Sequence, residues 1–254
     1  MVRSAIAETR PMTTRSTPLA HPPKALAFDI FGTVVDWHSG IAAEAAAMAA
    51  KHGINGDWNA FATAWRDGYY PAMDRVRRGE LPWTLIDGLH RMILDDIAEA
   101  HGFGALNEAD RQHLNHAWHR LTPWHDVVPG LLRLKRTYTI STLSNGNFSL
   151  LTDMAKHAGL PWDCIISAEL FGHYKPDREA YHGCARLLGI EPGELMLVAC
   201  HPSDLRGARL HGLRTAYVKR PKEEGPGGVL PEFAEGEFDL VADDFAQLAG
   251  VLHA

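Results

Sequence analysis

Four polar clusters, each placed just after a short apolar run or ahead of a helix, hold the residues of this sequence that can do chemistry. The first is Asp29, which follows Leu26, Ala27 and Phe28 and precedes Ile30, Phe31, Gly32 and Thr33. A carboxylate at the C-terminal end of a buried parallel strand sits where open α/β sheets bind their ligands. Gly32 lets the backbone turn tightly behind it, and Thr33 can offer a hydroxyl back toward the same point. The second cluster is Ser144 and Asn145, the third is Lys175 ahead of a helical segment that carries Tyr181, and the fourth is His201 with Asp204. Taken singly, each has an ordinary explanation: an acidic turn, a helix cap, a surface lysine, an N-cap. Four in succession at strand ends define one converging site.

The elements that must position these residues follow from the pattern of apolar side chains. Segments 138–143, 164–168, 195–199, 215–218 and 240–241 read as short buried strands, and 148–158, 178–188 and 203–211 as the helices between them. Alternating strands and helices predict an α/β fold with a doubly wound, mostly parallel, Rossmann-like sheet. Between residues 37 and 121 the pattern is helical throughout. Segment 41–52 is alanine-rich, segment 58–76 spaces Phe61, Trp65 and Tyr69 four apart, and Leu85, Leu89, Met92, Ile93 and Ile97 form a third stripe. A fourth helix is expected at 113–121, with Asn107 or Asp110 as its cap. The predicted organisation is therefore an extension over 1–23, a discontinuous core of 24–36 plus 122–254, and a helical-bundle cap over 37–121. The charged, glycine-bearing stretch 222–228 reads as a surface loop.

Composition narrows the partners. The formal net charge is −6, which provides no attraction for nucleic acid or an anionic membrane. No stretch reaches the roughly 18 apolar residues of a membrane span, and the first 23 residues lack the apolar segment of a signal peptide. Cys164, Cys184 and Cys200 form no C-x-x-C pair, so neither a disulfide framework nor a zinc site is indicated. A reducing, cytoplasmic compartment is the expectation. His113, His116 and His119 recur at three-residue spacing, but without a carboxylate cluster they read as a solvated helix face rather than metal ligands.

With these residues in order, the chain resembles the haloacid dehalogenase superfamily, and within it the L-2-haloacid dehalogenases (type II). D-I-F-G-T-V at 29–34 matches the first family motif, S-N at 144–145 the second, K-P-D-x-x-x-Y at 175–181 the third, and the segment ending in Asp204 the fourth. Arg66, after Trp65, stands where that family keeps a halide-binding arginine. Phosphatases of the superfamily carry a second Asp where this chain has Phe31, and a magnesium-binding acid where it has Cys200. Phe31 cannot protonate a leaving alcohol, and a thiol is a poor ligand for Mg²⁺; a halide leaving group needs neither. The resemblance therefore implies metal-independent, cofactor-free hydrolysis of short (S)-2-haloacids to (R)-2-hydroxyacids and halide. A phosphatase or phosphonatase, or a member inactive on common haloacids, is the alternative.

The resemblance also implies roles. Asp29 attacks the halogen-bearing carbon and forms an ester, Lys175 keeps Asp29 ionised, and Arg66 with Asn145 receives the halide. Ser144 and main-chain N–H groups near Ile30 and Phe31 hold the substrate carboxylate. Asp204 directs water onto the ester, and Thr33 and Tyr181 support the site. The partners implied are a small haloacid, the released halide and a second copy of the chain in a homodimer. The fourth motif departs from the family pattern S-S-N, with Ala199, Cys200 and His201 in its place. An imidazole in place of the asparagine can change the charge of the pocket, and its bulk predicts a preference for small acids such as chloroacetate or fluoroacetate.

Overall fold

The computed structural model describes residues 21–254, so the extension expected over 1–23 falls almost wholly outside the described residues. Strand β1 (Ala25–Phe28) is buried at every position and ends at Asp29. Helices α1 (Trp37–His52), α2 (Trp58–Asp67), α3 (Tyr69–Arg77), α4 (Ile86–Ile97) and α5 (Glu108–Asn115) follow. The chain then passes through a 3-10 turn, His116–Arg120, into α6 (Val127–Leu134), β2 (Thr139–Thr142), α7 (Phe148–Ala158) and α8 (Arg178–Leu187). It ends with β3 (Leu195–Ala199), α9 (Pro202–Leu210), β4 (Arg214–Val218), β5 (Leu240–Ala242) and α10 (Phe245–Val251).

The five strands of the described residues are all parallel, in the order β2-β1-β3-β4-β5. From β1 the chain crosses to β2 on one side and then returns past β1 to β3 on the other. The winding therefore reverses between β1 and β3, the place where open sheets leave a crevice beyond the strand ends. Asp29 stands at the tip of β1, and Cys200 and His201 at the tip of β3. Alternate side chains explain why the sheet is covered on both faces. Leu26, Phe28, Ile140, Met196 and Val198 join one apolar cluster, while Ala25, Ala27, Leu195, Leu197 and Ala199 join the other with Tyr181, Leu205 and Ala208 of α8 and α9.

The first cluster does not stop at the sheet. It continues through Phe31 and Val35 into Trp37, Phe61, Trp65 and Trp118 of the helical insertion. Phe31 meets Trp118 edge-on at a centroid distance of 5.7 Å, and Trp118 meets Trp65 in the same way at 5.6 Å. At about 1.5–3 kcal/mol for each large buried side chain, this aromatic column fastens the insertion over the strand ends.

The structure corrects several details of the sequence reading. Segment 164–168 forms no strand of the sheet; only isolated bridges join Ser141 to Cys164 and Ser144 to Ser167. The helix expected over 58–76 is two helices, divided at Gly68, where Ile93 packs so closely that a Cβ would lie 2.5 Å from its Cγ2. The fourth cap helix begins at Glu108 under the Asn107 side chain, which accepts from the Asp110 N–H, and gives way to a 3-10 turn at His116. His119 is not on a solvated face: it is buried and hydrogen-bonded to Asp87 and Asp153.

Candidate active site

Asp29 is a buried carboxylate that lines a cavity of about 380 Å³ and has donors on both oxygens. Thr33 Oγ1 donates to Asp29 Oδ2 at 2.8 Å, and His201 Nδ1 lies 3.0 Å from the same oxygen. Lys175 Nζ donates to Oδ1 at 2.9 Å. Burial alone would raise the pKa of Asp29, but the Lys175 ammonium and then His201 outweigh it and hold the carboxyl well below its ordinary value. The group is therefore ionised and desolvated, the state a carbon-directed nucleophile requires.

Lys175 also donates to Asp204 Oδ2 at 2.5 Å, so one ammonium bridges two carboxylates. Burial opposes its charge, yet Asp204 and Asp29 together raise its pKa. Tyr181 donates its hydroxyl to Asp204 Oδ1 at 2.7 Å. Asp204 itself is raised, first by burial and also by Asp29, against the pull of Lys175. A carboxylate with a raised pKa beside Asp29 is suited to accept a proton from water. Asn145 braces this corner from the second strand end: its Oδ1 accepts the Lys175 backbone N–H at 2.7 Å.

The cap closes the other side. Arg66, at the end of α2, lines the cavity with Tyr69, Tyr70, Phe31 and Asn145. Its guanidinium carbon sits 4.5 Å from the Tyr69 ring centroid and 5.5 Å from those of Trp37 and Tyr70. No carboxylate forms an ion pair with it among the described residues, and its Nη1 is buried with no hydrogen-bond partner. A buried cation with a free N–H on the cavity wall is a receptor for an anion.

One residue of this site was not legible in the sequence. Glu223, inside the stretch expected to be a surface loop, is buried and accepts at Oε1 from His201 Nε2 at 2.6 Å. Trp37 Nε1 donates to the same oxygen at 3.3 Å, and the Cys200 thiol donates to Oε2 at 3.2 Å. Flanked by two carboxylate acceptors, His201 must donate from both ring nitrogens. Burial opposes that charge, but Cys200, Glu223 and Asp29 raise the imidazole well above its ordinary value. The loop is tied down by Arg220, which forms a two-pronged pair with Asp126 at 2.9 and 3.0 Å and donates to the Thr33 carbonyl at 2.9 Å. Gly32 makes the approach sterically feasible: its φ is +81°, and a Cβ there would lie 2.1 Å from Glu223 Oε1.

Cys200, His201 and Glu223 bring a sulfur, a nitrogen and a carboxylate oxygen within 4.8 Å of one another. Each of these atoms is engaged by its neighbour, and a doubly protonated imidazole has no lone pair to give a metal. Burial pushes the Cys200 thiol up to about 11, so it stays protonated and acts as a donor. The trio is a hydrogen-bonded chain rather than an open ligand set.

Of the residues singled out in the sequence, Asp29, Phe31, Arg66, Asn145, Lys175, Tyr181, His201 and Asp204 line the one cavity, and Thr33 backs Asp29. Ser144 and Ile30 do not line it. Ser144 is fully buried, and its Oγ accepts the Gly146 N–H at 3.1 Å, shaping the turn that presents Asn145. The Ile30 carbonyl accepts from Val34 and Val35 in the turn behind Asp29.

Comparison with known proteins identifies the family. Residues 23–212 match the haloacid dehalogenase-like hydrolase family, and the chain belongs to it. A solved structure of a defluorinating L-2-haloacid dehalogenase is 44% identical, with a TM-score of 0.88, over 94% of this chain and 100% of that one. A second solved L-2-haloacid dehalogenase is 45% identical, with a TM-score of 0.87, over 91% and 99% of the two chains. The (S)-2-haloacid dehalogenase 4A of Burkholderia cepacia is 28% identical over 208 residues, which cover 78% of this chain and 83% of the relative.

Proposed function

We propose that this hydrolase cleaves the carbon–halogen bond of short (S)-2-haloacids, without a metal, to give (R)-2-hydroxyacids and halide. The observation that carries the reading is the pairing of a buried, ionised Asp29 with an unpartnered Arg66 cation across one small cavity. Asp29 attacks the α-carbon from the side opposite the halogen, which inverts that centre. Arg66 receives the departing halide and stabilises its growing charge. Asp204, supported by Tyr181 and Lys175, takes a proton from a water that attacks the resulting ester and restores Asp29.

Two features support this over phosphoryl transfer. Phe31, two residues past Asp29, presents a ring and no proton to a leaving alcohol. The tip of β3 offers the Cys200 thiol and the His201 imidazolium rather than hard oxygen ligands for Mg²⁺. Similarity to a defluorinating L-2-haloacid dehalogenase supports including a fluorinated acid among the substrates tested.

The test is halide release from L-2-chloropropionate, chloroacetate and fluoroacetate in the presence of EDTA, beside a phosphate-ester assay with added Mg²⁺. Halide release that is indifferent to EDTA and abolished in Asp29→Asn is the expected result. Mg²⁺-dependent phosphate release with no halide would overturn the reading.

A further inference from the structure

The two oxygens of Asp29 are not equivalent. Oδ2 accepts from both Thr33 and His201, whereas among the described residues Oδ1 accepts from Lys175 alone. An oxygen with two donors has both in-plane lone pairs engaged; Oδ1 keeps one free for attack. Asp204 lies on the Oδ1 side, joined to it through the shared Lys175 ammonium. Glu223 lies on the Oδ2 side, behind His201.

Resting on the dehalogenase reading above, we propose that Oδ1 is the attacking oxygen and that the Glu223–His201 pair forms a charged oxyanion site for Oδ2 in ester hydrolysis. His201 is then a further catalytic residue and Glu223 its positioning residue. Once Oδ1 is alkylated, Oδ2 is the ester carbonyl oxygen. Water oxygen bonds to Cγ, the carbonyl π pair moves onto Oδ2, and the water proton passes to Asp204. Collapse of the adduct breaks the Cγ–Oδ1 bond, and the hydroxyacid leaves with the proton returned by Asp204. The second proton of the attacking water, left on the regenerated carboxyl, is released to solvent, and Asp29 regains its charge with one oxygen from water. The negative charge that appears on Oδ2 meets two donors already in place, Thr33 Oγ1–H and His201 Nδ1–H, in a largely buried site.

Glu223 fixes which ring nitrogen carries a proton toward Asp29. Its carboxylate accepts from Nε2, and its own position is held by Trp37 and Cys200. With a neutral amide in place of Glu223, no carboxylate beside the ring compensates a second ring proton once Asp29 is esterified, and a singly protonated ring that keeps its Nε2–H turns a lone pair toward Oδ2. The effect falls on one half of the cycle. During alkylation the same donors draw electron density from the nucleophile and so do not accelerate it; during hydrolysis they stabilise the transition state.

The experiment compares wild type, H201N and E223Q by rapid-quench halide release and steady-state turnover on L-2-chloropropionate. In both variants kcat is expected to fall about 100-fold, the loss typical of one oxyanion donor, while kcat/KM, set by irreversible alkylation, stays near wild type. A burst of halide and a hydroxyacid ester on Asp29, read by intact mass after acid quench, accompany the loss. Partial misfolding lowers the burst amplitude and the steady rate in proportion, so their ratio reads only folded sites. Equal falls in kcat and kcat/KM, with no ester trapped, would overturn the dyad's role while leaving the dehalogenase reading intact. Absence of halide release from the wild type would sink that reading first.

Discussion

Replacing Arg66 with Met should cost the reaction about three orders of magnitude, and the size follows from the charges on the cavity wall. Lys175 sits between Asp29 and Asp204, and His201 sits between Asp29 and Glu223. Among the described residues lining the cavity, Arg66 is the cation with no carboxylate partner, and its Nη1 has no acceptor. A unit charge developing on halide about 4 Å from that guanidinium gains about 4 kcal/mol at an effective dielectric near 20. Lost from the transition state, that is roughly 10³-fold in kcat/KM. Methionine keeps much of the side-chain length against Trp37 and Tyr69, so folding loses chiefly the cation–π contacts, about 0.5–2 kcal/mol. The assay is initial halide release from bromo-, chloro- and fluoroacetate by ion chromatography, with thermal melting as the control for folding. The loss should grow from bromide to fluoride, because the smaller ion concentrates its charge. A fall of less than about tenfold, or an equal loss for all three halides, would refute the assignment of Arg66 as halide receptor, since about 1.4 kcal/mol is all that such a fall represents.

Two further outcomes test the scaffold. Gly32→Ala places a Cβ 2.1 Å from Glu223 Oε1 at a φ of +81°, so turnover should drop severely even in protein that still melts cooperatively; near-normal activity would mean that the Glu223 contact is dispensable. His119 joins the cap to α7 through Asp87 and Asp153; burial lowers its pKa, but hydrogen bonds to those carboxylates raise it overall. Its contribution to stability is therefore complete below the unfolded value of about 6.5 and is lost as pH rises through the higher folded value. Melting temperature should decline across that alkaline window, and His119→Gln should flatten the decline; an unchanged profile in the variant would remove the link.

The features legible in the sequence are those set by local pattern. Buried parallel strands are short apolar runs, and the polar residue that ends each run stands out, which is how Asp29, Asn145 and His201 were found. The run at 164–168 misled because apolarity marks burial and not pairing; its residues only bridge toward β2. The break at Gly68 escaped because the apolar stripe continues across it, and the close approach of Ile93 that excludes a side chain there comes from another helix. Glu223 was invisible for a stronger reason. It lies in a loop of charges and glycines with no periodicity, and its burial depends on Arg220 meeting Asp126, on the absence of a side chain at Gly32 and on Trp37 from the cap. None of these is near it in sequence except Arg220. The one available signal was His201 itself, since a buried imidazole beside a carboxylate implies a second acceptor for its other nitrogen.

The charges of the site have a functional order. Asp29, Asp204 and Glu223 are matched by Lys175 and His201, each cation shared between two carboxylates, in a chain from Tyr181 to Trp37. A shared cation can stabilise charge on either neighbour without leaving its place, so in the proposed reaction the chain can follow the negative charge as it leaves Asp29 on alkylation and returns on hydrolysis. Asp29 is the middle carboxylate of the three, and loss of its charge leaves Lys175 paired with Asp204 and His201 paired with Glu223. Arg66 stands apart from this chain, among aromatic rings that leave its charge unneutralised. The division matches the two demands of the proposed reaction: a balanced set of groups for the ester cycle, and one uncommitted cation for the ion that departs.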